Sequence, residues 1–294
     1  MTLRDWLNGC ALARVDALAL LRELAGVDHA TVLAHPLRAL DAAARQRLDA
    51  AAARLRDGEP LAYVLGWREF HGLRLQVNPA VLVPRPDTEL LVDFVLQRYA
   101  AGDAPNLLDL GTGSGAIAVS LAHALPAARV WAVDASAAAL EVAQANARAL
   151  LPPARAPLRL LQGDWLAALP ADAPRFDCIV SNPPYVAAGD PHLPALRHEP
   201  SLALVGAQPS ADGLADLRRI VRDAPAHLSR GGWLALEHGH DQARAVRALL
   251  AARGLQQVHS LKDLAGIARV SAGRLGSGAM PPRNATRNGI WQTS

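Results

Sequence analysis

Apolar positions along the chain follow two regimes. Between residues 3 and 56, Leu3, Leu7 and Cys10, then Leu18, Leu21 and Leu24, recur at spacings of three and four, the period of helices that bury one stripe. Residues 41–56 continue as an alanine-rich helix with Arg45, Arg47 and Arg54 among its polar positions, and His35-Pro36 interrupts a shorter helix before it. Trp67-Arg68-Glu69-Phe70, a His71-Gly72 turn and alternating Leu73, Leu75 and Val77 then read as a hairpin, a hinge closing a first helical domain over residues 1–75. From Pro84 the pattern changes. Pro84-Arg85-Pro86 stiffens an extended segment, Asp87 is placed to cap a helix running from Thr88 toward Tyr99, and short apolar strands then alternate with helices. Strands are expected at residues 106–110, 129–134, 158–162, 176–181, 233–237, 255–260 and 267–271, which predicts an α/β domain with a mostly parallel sheet over residues 76–274. Residues 185–212 form a long loop broken by four prolines, a length that in a compact domain marks function. Residues 275–294 have no period and read as a disordered tail, in part foreign to the native gene.

With 294 residues, 51% hydrophobic and 19% charged, the chain can bury two cores, which excludes disordered, collagen-like and disulfide-scaffold classes. The formal charge of +3 invites a polyanion as partner until its source is located. From Ser271 onward the chain carries Arg274, Arg283 and Arg287 and no acid, so residues 1–270 hold 27 basic and 27 acidic side chains and are neutral. Ten Arg stand against nine acids in residues 1–80, so the helical domain reads as a cover or protein-docking surface, with no direct nucleic-acid binding expected. Cys10 and Cys178 lack ligand spacing, which suggests a reducing cytosol and no metal site. Asp5, Asp16 and Glu23 break any secretory apolar stretch, and no run reaches membrane-spanning length, so a cytoplasmic location is expected, with no membrane partner.

Asp109-Leu110-Gly111-Thr112-Gly113-Ser114-Gly115 follows an apolar strand and opens an apolar helix, the context in which a glycine loop becomes a ligand site. Asp134 ends the next strand, where it can accept hydrogen bonds from both hydroxyls of a ribose. These features alone admit a dinucleotide or an S-adenosyl ligand. The loop is Gly-x-Gly-x-Gly, and Asp109 before it would repel a pyrophosphate but welcome the ammonium of a methionine moiety, which favours S-adenosyl-L-methionine. Asp164-Trp165, after the third strand, adds a polar and a flat group where an adenine could sit.

Asn182-Pro183-Pro184-Tyr185 is the most specific string in the chain. Each proline fixes its own φ and restricts the residue before it, giving a rigid shelf that presents the Asn182 carbonyl, backbone carbonyls and a tyrosine ring. Such a shelf suits a planar amino group: two acceptors holding its N–H bonds aim the nitrogen lone pair at an electrophile and stabilise the charge that develops. Tyr185 is expected to pack on the planar group.

Asp109 to Gly115, Asp134 and Asn182 to Tyr185 together resemble the class I S-adenosylmethionine-dependent methyltransferases of amino nitrogens. With Gly58-Glu59-Pro60, Arg68-Glu69-Phe70, Pro84-Arg85-Pro86-Asp87-Thr88-Glu89, Glu199-Pro200 and Leu236-Glu237-His238-Gly239, residues 1–274 resemble the HemK-type peptide chain release factor glutamine methyltransferases. The resemblance implies a Rossmann-like seven-stranded sheet with a final antiparallel strand behind a small N-terminal helical domain. It also implies a cytosolic enzyme, here expected as a monomer, that methylates the glutamine amide in the Gly-Gly-Gln loop of class 1 release factors and yields S-adenosyl-L-homocysteine. By the same resemblance the cofactor lies on Asp109 and on Gly111, Thr112, Gly113, Ser114 and Gly115, the ribose on Asp134 and the adenine near Asp164 and Trp165. Asn182, Pro183, Pro184 and Tyr185 hold the glutamine, with Asn182 also against the cofactor. His198 stands where a phenylalanine commonly precedes Glu199, and His238-Gly239-His240 lacks the third ligand of a metal site. Rival readings are a glutamine methyltransferase of a ribosomal protein, a DNA amino methyltransferase, which the neutral body disfavours, and a module that senses the cofactor without turnover.

Overall fold

The computed structural model describes residues 1–152 and 158–278, and the chain divides into two compact units, Met1–Trp67 and Arg68–Ser294. The first holds helices α1 (Leu3–Gly9), α2 (Arg14–Ala25), α3 (His29–Ala34), α4 (Ala42–Arg56) and α5 (Leu61–Leu65). Their starts are written in short polar side chains: Thr2 and Asp5 form a capping box on α1, Asp28 accepts from the Thr31 amide, and Asp41 accepts from that of Ala44. The apolar stripes meet in a core around Leu3, Trp6, Leu20, Leu21 and Leu48, and the buried Trp6 indole gives its proton to Asp49 at 2.9 Å.

The second unit opens with the hairpin β1 (Trp67–Phe70) and β2 (Leu73–Gln76). This hairpin is no free hinge. Phe70 and Leu75 are fully buried with Leu91 and Phe94, so the strands share the core of the second unit, and the first unit ends at Trp67, short of residue 75. Seven strands then build one sheet: β3 (Asn106–Leu110), β4 (Arg129–Asp134), β5 (Leu158–Gln162), β6 (Phe176–Ser181), β7 (Leu228–Glu237), β8 (Gln256–Lys262) and β9 (Ala268–Arg274). Their order is β5-β4-β3-β6-β7-β9-β8, and β9 runs against its two neighbours. The strands alternate faces as their period of two requires. Leu107, Val130, Cys178 and Val180 enter the core under α6 (Glu89–Leu96), α7 (Ala116–Ala124) and α8 (Ala137–Leu150). Leu108, Trp131, Val133 and Ile179 enter the opposite core, under α10 (Ala215–Asp223) and α11 (Ala243–Ala252), with the one-turn α9 (Ser201–Val205) ahead of them in the chain.

Two local expectations change. Asp87 makes no cap; the turn Pro86–Thr88 is a 3₁₀ helix, and Asp87 pairs instead with Arg269 of β9 at 3.1 Å, a partner 182 residues on that no local pattern announces. The ordered chain also runs past Arg274, because Leu275 exchanges backbone hydrogen bonds with Gly231 and Gly232. Residues 279–294, the remainder of the expected tail, lie outside the described residues. Among the described residues, no helix is long and apolar enough to cross a membrane.

Candidate active site

Strand order places the site. β4 and β5 lie to one side of β3, and β6 and β7 to the other, so chain direction across the sheet reverses between β3 and β6, and a crevice opens beyond their carboxyl ends. Leu110 and Ser181 are register partners at that end, and the Ser181 hydroxyl donates to the Leu110 carbonyl at 2.6 Å. The next residues out are Gly111 and Asn182, so the glycine loop and the tetrad emerge side by side. Both line a cavity of about 310 Å³ together with Thr88, Asp134 and Trp165.

Gly111, Gly113 and Gly115 all have positive φ, at 72°, 54° and 81°. Gly111 is the position where this matters most, because a Cβ there would also press on the Trp165 ring at 3.2 Å. Asp134 organises the loop: its Oδ2 accepts from the Gly113 amide at 2.8 Å and its Oδ1 from the Ser136 amide at 2.9 Å. A carboxylate oxygen has a second lone pair, so both remain able to accept from a pair of ligand hydroxyls. Burial raises the Asp134 pKa, against the pull of the Ser136, Gly113 and Ala135 amides.

Asp109 is fully buried. Its Oδ2 accepts from the Thr112 hydroxyl at 2.7 Å, while Oδ1 has no well-aligned partner. Burial pushes its carboxyl up to about 7. An under-satisfied buried carboxylate beneath a glycine loop of positive φ fits a cationic amino-acid ligand and not a pyrophosphate.

Trp165 is held from behind. Its indole nitrogen donates to the buried Asp216 at 3.0 Å; Arg219 lies 3.5 Å from the same carboxylate and pairs with Asp164 at 2.5 Å. Asp216 and Arg219, on α10, also line the cavity, and sequence reasoning missed both because they act 51 or more residues from the groups they hold.

The tetrad is fixed at three points. The Asn182 carboxamide nitrogen donates to the Thr88 hydroxyl at 3.0 Å. The Tyr185 hydroxyl donates to Glu237 at 3.1 Å, and burial, helped by the Glu237 charge, raises the phenol pKa. The Tyr185 carbonyl accepts from Gln242 at 3.0 Å, and the approach of Gly213 to that carbonyl leaves no room for a Cβ. Pro183 is buried, and Asn182 and Pro184 line the cavity; Asp109, Gly115, Pro183 and Tyr185 are not among its lining residues. The Tyr185 ring packs against the second core.

The long loop is pinned as well. Glu199 is buried and accepts from the Val83 amide at 3.0 Å and from Arg85 at 2.5 Å, tying the chain beside the half-buried His198 to the extended segment before α6. His238 turns its ring to Ser271 and the Gly239 carbonyl, both within 2.9 Å.

The chain is similar to proteins of known type. Residues 86–197 match the methyltransferase small domain, and residues 6–66 match the PrmC N-terminal domain. Proteins named release factor glutamine methyltransferase from Burkholderia pseudomallei and Bordetella pertussis are 51% and 50% identical, each over 93% of this chain and over 96% and 99% of their own. A methyltransferase from Pyrococcus furiosus shares the fold at a TM-score of 0.52 and 21% identity, covering 76% of this chain and 97% of that one. By this likeness over nearly its whole length, the chain belongs to the release factor glutamine methyltransferases.

Proposed function

We propose that the protein transfers the methyl group of S-adenosyl-L-methionine to the side-chain amide nitrogen of the glutamine in the Gly-Gly-Gln loop of class 1 peptide chain release factors, leaving S-adenosyl-L-homocysteine. One observation carries this reading: the glycine cradle and the proline-stiffened shelf leave neighbouring strands at the registered pair Leu110 and Ser181, so a donor and a planar acceptor would face each other across one cavity. When bound, the cofactor supplies an electrophilic methyl on a sulfonium. Asp134 answers its ribose, Asp164 and Trp165 flank its adenine, and Gly111 to Ser114 wrap the chain between, with the buried Asp109 acting on its ammonium from behind Thr112.

The protein's task at the other end is orientation. An amide nitrogen is a poor nucleophile because its lone pair is delocalised; accepting its N–H bonds on the Asn182 oxygen and a nearby backbone carbonyl aims that lone pair at the methyl. With the Asn182 nitrogen given to Thr88, the oxygen is the part left for substrate. As it takes the methyl group the amide nitrogen becomes cationic and strongly acidic, and one of its two N–H protons passes to water to leave the neutral N-methyl amide, so no dedicated base is required. The neutral helical unit serves as the docking surface for the release factor, and the enzyme works as a cytoplasmic monomer.

The test is incubation with labelled S-adenosylmethionine and, in separate arms, a folded release factor, a ribosomal protein and DNA, with the label then mapped. Label on the Gly-Gly-Gln glutamine is expected; label on a ribosomal-protein glutamine or an exocyclic base nitrogen would replace this substrate by that one.

A further inference from the structure

We propose that Glu237 is the positioning residue that aims the acceptor shelf, its buried carboxyl holding Tyr185 by one oxygen and taking on the other, otherwise unpartnered oxygen the proton of Thr88, the residue that holds Asn182. The proposal rests on the methyl-transfer reading and names the side chain that decides which face of Asn182 meets the substrate.

Glu237 ends β7 and is 1% exposed. Its Oε1 accepts from the Tyr185 hydroxyl at 3.1 Å. Its Oε2 is buried without a hydrogen-bond partner, and Thr88 is among the groups that pull the carboxyl's pKa down against burial. Thr88 Oγ1 in turn accepts from the Asn182 carboxamide nitrogen at 3.0 Å. A hydroxyl has one proton, and a carboxylate only accepts. Having accepted from Asn182, Thr88 has its own proton to give, and the unpartnered Glu237 Oε2 is the acceptor assigned to it. Every donor then points toward Glu237, and the Asn182 oxygen is left for the cavity that Asn182 and Thr88 both line.

A carboxamide at position 237 would break this polarity. With its oxygen kept on the Tyr185 hydroxyl, its nitrogen would donate toward Thr88, whose proton would turn to Asn182, and Asn182 would rotate to present its own NH₂ to the substrate NH₂. Two donors would then meet where a donor and an acceptor are needed.

Other charges bear on Glu237. Asp87, beside Thr88, raises its pKa and Arg269 of β9 lowers it, while burial is the dominant cause and lifts it to about 7. Arg269 is itself held by Asp87 and Asp263, Arg85 and Arg269 both act on Tyr185, and His238 turns away to Ser271. Protonation of Glu237 places a donor where the chain requires an acceptor, so turnover should fall on the acid side.

The experiment measures kcat and KM for release-factor methylation by the full chain from about pH 6 to about pH 9 for wild type, Glu237→Gln, Thr88→Val and Thr88→Ser. We expect Glu237→Gln and Thr88→Val to lower kcat roughly tenfold or more with KM changed by less than about threefold, and Thr88→Ser to recover most of what valine loses. The wild-type acid limb should be absent from Glu237→Gln. A full kcat in Glu237→Gln, an acid limb unchanged by that substitution, or serine as poor as valine would each overturn the proposal. Should Glu237→Gln fail to fold by circular dichroism, the valine and serine pair still decides. An inactive wild type would overturn the substrate reading itself, whereas an active wild type with insensitive variants overturns only the role of Glu237.

Discussion

Trp165 donates its indole proton to Asp216 at 3.0 Å while its own backbone sits at φ 48°, a left-handed conformation that costs an aromatic residue energy. A strained residue persists only where its surroundings over-determine it, and here Asp216 and the face of Gly111 do so. Asp216→Ala should leave a buried donor unpaired at about 1–3 kcal/mol and free the ring to turn. Affinity for S-adenosylhomocysteine, measured by calorimetric titration, should then fall about tenfold or more. An unchanged affinity would show that the indole is not a wall of the cofactor site.

Asp134 carries two loads, the Gly113 and Ser136 amides and the expected ribose. Asp134→Ala removes charge-assisted bonds worth about 1.5–3 kcal/mol, so the dissociation constant for S-adenosylhomocysteine should rise roughly ten- to a hundredfold. Retained affinity in a folded variant would remove the ribose assignment.

Stability should carry the mark of Asp109. Burial lifts its carboxyl from 3.8 to about 7, so between those values the folded protein holds a proton that the unfolded chain has lost. Stability therefore falls as pH rises through that window, by at most about 1.4 kcal/mol per pH unit for one group. Glu237, raised to about 7 by burial, acts with the same sign. Relative to wild type, Asp109→Asn should gain in melting temperature as pH rises from about 4 to about 7 in cofactor-free protein, and gain no more above that. A difference independent of pH would mean that Asp109 ionises normally.

The acceptor role of Asn182 separates alanine from aspartate. Asn182→Ala deletes the oxygen that orients the substrate amide, a loss of about 2.7–4 kcal/mol by analogy with oxyanion-hole donors, or roughly a hundred- to a thousandfold in kcat. Asn182→Asp keeps an oxygen there but meets the Thr88 hydroxyl with an acceptor where Asn182 has a donor. It should retain clearly more activity than alanine and less than wild type. Equal inactivity of the two would shift orientation to the rigidity of Pro183 and Pro184.

What was legible in the sequence was local. The Gly111 to Gly115 loop, Asp134 and the Asn182 to Tyr185 tetrad are short strings whose backbone demands are visible without a fold, and the structure sets the loop, Asp134 and Asn182 around one cavity. Thr88, Glu199 and Glu237 stood in family-like strings with no role to read, because each meets its partner 52 or more residues away. Asp216 and Arg219 had no string at all. Asp87 shows the same limit from the other side: an acid before a helix is ordinarily a cap, yet Arg269 arrives from the sheet's antiparallel strand and takes it.

Leu110 and Ser181 set a ruler for the reaction. Neighbouring strands stand about 4.8 Å apart because their backbone hydrogen bonds require it. A donor seated just beyond one strand and an acceptor just beyond the next inherit that spacing as a lattice constant of the sheet, joined further by the 2.6 Å bond between the two residues. Loops elsewhere can lengthen or drift without changing the gap the methyl must cross. A change in that gap requires slipping β3 against β6, which would turn Leu108 and Ile179 out of one core and Leu107 and Cys178 out of the other.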